Sequence, residues 1–399
     1  MLGITVASRG KGGHWVGTWT SMPQEVEIGN LAPPPFGGED VPYQFHNSTI
    51  RQTLRTSIRA ERIRIRISNV FGKTSLPITA ASVALPLNGN AGVGEIDEST
   101  TRCLTFEGSA STTISPGEFV DSDPVHFRLP PLSNLALSIY LEDGQLGYKI
   151  TGHPGSRTTS WMGTGNLVNA SSVSEASTRH WYFVSAVETW APRNHYSVVL
   201  LGDSITDGRG SEDDRNNRWS DFLAARLQAS KKTHIAVNNQ AAGGNAVLSG
   251  GLGPPLLQRY HRDALQQNGA RYVLVFEGVN DIGTSPTDDL TQRQLTERLI
   301  NAYAEIVAAC KKANMQTIGA TITPFTGSQY GDSRREETRL EVNDWILNNG
   351  TFDYTVDFAS VIGDGDKLRP EFDSGDHLHP NVDAYREMGS RFPVHIFER

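Results

Sequence analysis

Cysteine is almost missing from this 399-residue chain, which has two, Cys103 and Cys310, far apart in sequence. Two distant thiols are expected to be unpaired. They exclude a disulfide framework and a zinc cluster, and they leave the redox compartment open. A basic surplus is missing as well: 36 Lys plus Arg stand against 44 Asp plus Glu, for a net charge of -8, and no long basic run could track a phosphate backbone. No nucleic-acid partner is expected. No apolar run is long enough to span a bilayer, so stable membrane insertion is not expected either. The opening residues MLGITVASRGKGGHW hold only a short apolar stretch before Arg9 and Lys11, too little for a secretory signal core. A cytoplasmic location and a leader already removed both fit. There is no internal repeat and no low-complexity tract; NLAPPPFGGEDVP reads as a mobile loop.

What is present divides in two. A chain of this length exceeds what one hydrophobic core usually supports. The first half alternates with period two: ERIRIRIS sets Ile63, Ile65 and Ile67 on one face and Arg62, Arg64 and Arg66 on the other, and LALSIYL does the same with Leu135, Leu137, Ile139 and Leu141. Turn clusters separate such runs, and no long helical pattern intervenes before about residue 190. An all-β sandwich is the economical architecture. The arginine face is expected to be a solvated sheet face, with an anion-binding face as the rival reading. After the connector ETWAPRNHYS, apolar strands alternate with helical patterns, including one helix across PPLLQRYHRDALQQ. That order implies a parallel sheet covered on both faces, with ligands bound at the carboxyl ends of the strands.

The first strand of this second half ends in VVLLGDSITDGRGS, which places Ser204 just past its carboxyl end. A serine hydroxyl needs a base to take its proton and a third group to orient that base. The loop SGDHLHPNVDAY supplies both, with Asp376 and His379 three residues apart, and Pro380 disfavours a helical conformation at His379. His377 is the competing histidine and reads as supporting polar structure. Acyl transfer also needs donors aimed at a developing oxyanion. The loop after the second strand, NNQAAGGNAVL, offers the Gly244 amide, with Gly243 as its alternative; the loop after the third, FEGVNDIG, offers the side chain of Asn280. With the backbone amide of Ser204 that makes three donors from three loops. Asp203 and Asp207 read as residues that shape the nucleophile's turn.

At these residues the chain resembles the GDSL, or SGNH, hydrolase superfamily. GDSITDG, the glycine turn with Gly244, GVND and DHLH are similar to the family's four motif blocks and stand in family order across the whole α/β half. The resemblance implies a flavodoxin-like three-layer α/β/α hydrolase domain over 193–399. It also implies Ser204 as nucleophile, Gly244 and Asn280 completing the oxyanion hole with Ser204, and Asp376 with His379 completing a triad. Ile205 stands where the family's name motif has leucine, a swap conservative in size. Gly244 is preferred to Gly243 because the family's donor precedes a polar Asp or Asn, here Asn245. The stretches WVGTWTSMPQ, LRTSIRAERIRIRISNVFG and SDPVHFRLPPLSNLALSIYL resemble the β-sandwich ahead of the catalytic domain in microbial two-domain GDSL esterases. That implies a jelly-roll-like accessory domain over 1–192 and a secreted protein.

The expected activity is hydrolysis of carboxylic esters through an acyl-serine intermediate, without metal or cofactor. The substrate class is short-chain or acetyl esters, small molecules or acetylated carbohydrate. An O-acyltransferase using the same triad, and a carbohydrate-binding protein with a vestigial hydrolase, are the alternatives. A metal site at Asp376, His377 and His379 ranks below the triad, since no further ligand cluster accompanies it. Among Trp15, Trp19, Phe36, Trp161, Tyr260 and Phe325, packing is the expected role for any one. Phe36 and Phe325 are the two placed to border the cleft. Oligomeric state is not legible.

Overall fold

The computed structural model describes residues 12–397. Residues 1–11, with the short apolar stretch before Arg9 and Lys11, lie outside the described residues. Among the described residues no α-helix precedes Ser204, and no helix is long and apolar enough to cross a membrane.

The first half forms two facing antiparallel sheets. One orders the strands Gly13–Thr20, Val184–Pro192 and Ala60–Ser68, with Phe119–Asp121 and Val125–Leu129 sharing the far edge of Ala60–Ser68. The other runs Ala176–Thr178, Ser160–Thr164, Ser48–Arg55, Asn134–Leu141, Ala80–Pro86 and Ile96–Cys103. Alternation does its ordinary work here: Ile63, Ile65 and Ile67 from the first sheet share one core with Ile50, Leu54, Leu135, Leu137, Ile139 and Leu141 from the second. The opposite face of Ala60–Ser68 departs from the expected solvated surface. Arg64 pairs with Glu188 at 2.6 Å and Asp121 at 3.2 Å, and Arg66 pairs with Asp121 at 2.8 Å. The guanidinium groups of Arg64 and Arg66 also cover the rings of Trp15 and Phe119. Acidic and aromatic neighbours in adjoining strands occupy this face, where water or an anion was the expectation.

In the second half five parallel strands stand in the order Ile235–Ala241, Tyr196–Gly202, Ala270–Phe276, Gln316–Ala320, Tyr354–Val356. The first strand in sequence lies between the second and third, so connections leave it in both directions. Its carboxyl end is therefore the topological switch point of a doubly wound sheet. The interior strands are apolar along their middles, as burial on both faces requires: Val198, Val199, Leu200 and Leu201 are all fully buried. Helices Trp219–Ala229, Asp289–Lys312, Ser333–Asn348 and Val382–Arg391 supply the apolar residues that cover the sheet. The expected helix over PPLLQRYHRDALQQ forms across 256–265, but it is α-helical only at Leu256–Tyr260 and widens to a π turn at His261–Leu265.

The two halves are packed together. Val16, Ile58 and Ala191 close a small core with Ala236, and the Gly17 N–H donates to the Asn268 carbonyl at 3.0 Å. Cys103 is exposed and Cys310 buried, both unpaired as expected. Phe36, Trp19, Tyr260 and Phe325 are buried in the two main cores. For Phe36 and Phe325 this replaces the cleft-lining role with packing, because both rings are large enough to complete a core that their loops cross.

One buried cation joins the ends of three parallel strands. Arg259, 1 % exposed, donates to the carbonyls of Gly202 at 3.1 Å and Gln240 at 2.6 Å, and to the Glu277 carboxylate at 2.9 Å. It also reaches Asn245 Oδ1 at 2.8 Å and Asp263 at 3.2 Å. Five donors in a planar fork can serve these partners at once, which a lysine cannot. Burial pushes Glu277 up to about 8 even with Arg259 pulling it down, so removal of the guanidinium strands an acid in the interior. Arg259→Ala is expected to cost about 3–5 kcal/mol in urea unfolding. A loss under about 1 kcal/mol would contradict this role.

Candidate active site

Strand register determines which loops meet. Gly202 lies opposite both Ala241 and Phe276, so the three strands end level. Ser204, Gly244 and Asn280 follow those ends by two, three and four residues and gather at one sheet edge. Ser204 opens the short helix Ser204–Asp207, whose N-cap Asp203 accepts from the Ile205 N–H at 2.9 Å.

His379 arrives from the opposite end of the chain. Its Nε2 lies 2.8 Å from Ser204 Oγ, and its Nδ1 lies 2.7 Å from Asp376 Oδ2. With a carboxylate on Nδ1, that nitrogen carries the proton and donates, while Nε2 accepts from the serine hydroxyl. The loop is built to hold this ring. Asp376 Oδ1 accepts from the backbone N–H groups of Leu378 at 3.0 Å and His379 at 2.8 Å. Asn381 then caps the helix Val382–Arg391 by accepting from the Ala384 N–H at 3.0 Å. His377 turns away, exposed, with its Nδ1 2.6 Å from Asp373. Among the described residues no group of three or more His, Cys, Asp or Glu is arranged to hold a metal ion.

Electrostatics suit proton transfer. For Asp376 burial works against ionisation, but the His379 N–H, the His379 imidazole and the Leu378 N–H outweigh it and hold the carboxyl below its usual range. For His379 burial lowers the pKa, Asp376 raises it, and the guanidinium groups of Arg209 and Arg157 lower it again; the net direction is below the ordinary 6.5. The imidazole is thus neutral, and able to accept a proton, at neutral pH.

The donor loops are equally constrained. The Gly243 N–H is already engaged, donating to Asp207 Oδ2 at 3.0 Å. The N–H groups of Gly244 and Ser204 make no hydrogen bond among the described residues. That distinguishes the two glycines on geometry: only Gly244 has an amide to spare. Asn280 directs its side chain by two contacts, Nδ2 donating to the Asn245 carbonyl at 2.8 Å and Oδ1 accepting from the Tyr330 hydroxyl at 2.9 Å. One Nδ2 hydrogen is left over for a ligand.

Several contributors were not read from the sequence. Tyr330 sits in an irregular loop without periodicity, and it approaches Asn280 only because residue 283 is glycine: a Cβ there would meet the Tyr330 ring at 2.1 Å. Asp281 accepts from the N–H groups of Val247 at 2.8 Å and Leu248 at 2.9 Å, tying the third loop to the second. Asp207, read only as a turn residue, also bridges the two halves: its Oδ1 lies 2.9 Å from His153 Nε2, and His153 Nδ1 lies 3.0 Å from the Met22 carbonyl. Gly155 allows this approach, since a Cβ at that position would stand 1.7 Å from Asp207 Oδ2. His153 gave no signal in sequence because its partner lies in the other half of the chain.

A serine hydroxyl, an imidazole held by a carboxylate, and spare N–H donors beside them are the parts that acyl transfer requires. Residues 200–387 match the GDSL-like Lipase/Acylhydrolase family, and the C-terminal half of this chain is a domain of that family. Solved structures similar to it include a member of the lipolytic protein G-D-S-L family from Veillonella parvula (19% identity, TM-score 0.39, covering 51% of this chain and 99% of that one). The psychrotrophic esterase EstA from Pseudoalteromonas sp. is similar at 19% identity and TM-score 0.38, covering 51% and 99%. The lipase/acylhydrolase from Enterococcus faecalis is similar at 19% identity and TM-score 0.38, covering 49% and 92%. No curated protein matches the chain.

If Tyr330 orients the Asn280 amide, Tyr330→Phe will lower kcat several-fold with little change in KM, and Asn280→Ala will lower kcat by roughly 10²–10³. Steady-state kinetics on an activated ester check both. An unchanged kcat in Asn280→Ala would remove it from the oxyanion site.

Proposed function

We propose that the chain is a carboxylic ester hydrolase acting on short-chain or acetyl esters, with Ser204, His379 and Asp376 as its triad. The observation that carries this reading is the continuous chain of contacts from Ser204 Oγ to His379 Nε2 at 2.8 Å and from His379 Nδ1 to Asp376 at 2.7 Å. Ser204 Oγ attacks the ester carbonyl carbon while its proton passes to His379 Nε2. The carbonyl oxygen becomes an oxyanion, met by the N–H groups of Ser204 and Gly244 and by Asn280 Nδ2. Collapse of this intermediate breaks the bond to the alcohol oxygen, which takes the proton from His379 and leaves. Water then gives a proton to His379 and attacks the acyl-serine, and collapse returns the proton to Ser204 and releases the carboxylic acid. Asp376 keeps the imidazole in the required tautomer and stabilises its cationic form.

A small or acetylated substrate is supported by the surroundings of Ser204. The serine opens into a cavity of about 690 Å³ lined largely by polar side chains, including Gln24, Asn30, His180 and Gln329, where a long acyl chain would want an apolar trough. Residues of the N-terminal half, mostly from its loops, form one wall of it, which gives that half a part in substrate choice.

Turnover of 4-nitrophenyl acetate tests the reading. Ser204→Ala and His379→Ala are each expected to lower kcat by at least about 10³. In the active protein kcat/KM should rise with pH as His379 loses its proton, with a midpoint below 6.5, because the free base is the competent form. Near-full activity in either variant, or an acid limb centred well above 6.5, would refute the assignment.

A further inference from the structure

The wall of the cavity contributes two cations that have no ion-pair partner among the described residues. Arg157, from the loop after the strand Thr151–His153, and Arg209, five residues past the nucleophile, both line the space around Ser204. Neither side chain makes an ion pair or hydrogen bond among the described residues, and Arg157 Nε is buried without a partner. A buried donor left unsatisfied is costly and asks for a ligand. The cavity's carboxylates are engaged elsewhere. Asp376 holds His379, Asp207 lies 2.9 Å from His153 and accepts from Gly243, and Glu27 accepts from Gln24 at 2.7 Å and from Asn30 at 3.0 Å.

The backbones of both arginines are also held in place before any ligand arrives. Arg157 takes φ +48°, a conformation that L residues rarely adopt, and its neighbours fix it there. Its carbonyl accepts from the Asp214 N–H at 2.9 Å, the Asp214 carboxylate accepts from the N–H of Thr159 at 2.7 Å, and the preceding Ser156 carbonyl accepts from Arg218. The backbone of Arg209 is pinned on both sides: its N–H donates to the Ser204 carbonyl at 2.9 Å, and its carbonyl accepts from the Tyr385 hydroxyl at 2.5 Å. These interactions fix the two backbones, and the side chains of half-buried Arg157 and exposed Arg209 line the cavity around the reacting serine, where planar bidentate donors match a carboxylate.

We propose that Arg157 and Arg209 form an anion subsite in which the protein recognises a carboxylate carried by its ester substrate. This rests on the esterase reading above and narrows it to acidic esters. The N-terminal half then supplies half of the recognition, since Arg157 belongs to it. The influence of both cations on His379 places them near enough to act on a bound ester.

Two pairs of chromogenic esters test the subsite and find which side of the ester carries the charge. On the acyl side, 4-nitrophenyl hydrogen succinate is compared with 4-nitrophenyl butyrate. On the alcohol side, 3-carboxy-4-nitrophenyl acetate is compared with 4-nitrophenyl acetate. All rates are normalised to hydroxide-catalysed hydrolysis. The charged member of one pair should show a kcat/KM about tenfold higher, the size expected of a charge-assisted contact. Arg157→Gln and Arg209→Gln should each bring that ratio within about twofold of unity, and added salt should shrink it in the unmutated protein. A ratio at or below one in both pairs overturns the subsite while turnover of the neutral esters leaves the esterase reading standing. So does an equal fall for charged and neutral esters in both variants, which would mark the arginines as structural. Absence of turnover for every ester overturns both.

Discussion

A single buried guanidinium sets the geometry on which the site depends. Arg259 binds the carbonyls of Gly202 and Gln240 and the carboxylate of Glu277, one group from the end of each of three adjacent strands, and it also holds Asn245 Oδ1. Asn245 in turn presents its carbonyl to Asn280. The positions of Ser204, Gly244 and Asn280 relative to one another therefore follow from one hydrogen-bonding centre under the sheet edge. Such a centre is expensive, because burial raises Asp203 to about 7 and Glu277 to about 8. The cost is tolerable because the cation satisfies several acceptors at once, and removal of any partner would leave charge or dipole stranded.

A second layer of constraint comes from outside the parallel sheet. The His153–Asp207 contact crosses between the halves, and the same carboxylate occupies the Gly243 N–H, which leaves the Gly244 N–H as the one to spare. The antiparallel sheets thus reach the chemistry through a hydrogen-bond relay as well as through the cavity wall. This makes it physically reasonable for the first half to stay packed on the second through Val16, Ile58, Ala191 and Ala236, with only residues 193–195 between the strands Val184–Pro192 and Tyr196–Gly202.

Much of this was legible in the sequence, for identifiable reasons. Period-two runs such as ERIRIRIS report burial on one face, and near-continuous apolar runs such as SVVLLGD report burial on two, so the sandwich and the parallel sheet could both be read. Ser204, Gly244, Asn280, Asp376 and His379 were legible because strand-end loops are local in sequence and level in the sheet. What escaped depends on pairings across long separations. The arginine face of Ala60–Ser68 looked solvated because Glu188 and Asp121 lie on other strands. Arg259, Tyr330 and His153 carried no signal of their own, since the partner that defines each one is 18 to 54 positions away. Phe36 and Phe325 failed in the opposite direction, because loop placement alone does not show whether a ring points to a cleft or completes a core.

The central claim is that Ser204 forms a covalent acyl intermediate with its proton taken by His379. Reaction of the protein with a fluorophosphonate ester, followed by peptide mass spectrometry, tests it most directly, since a phosphonate mimics the tetrahedral intermediate and stays on the serine that attacks it. The account predicts one adduct, on the peptide containing Ser204, formed rapidly at neutral pH and lost in both Ser204→Ala and His379→Ala. Labelling of another serine, or undiminished labelling without His379, would contradict it.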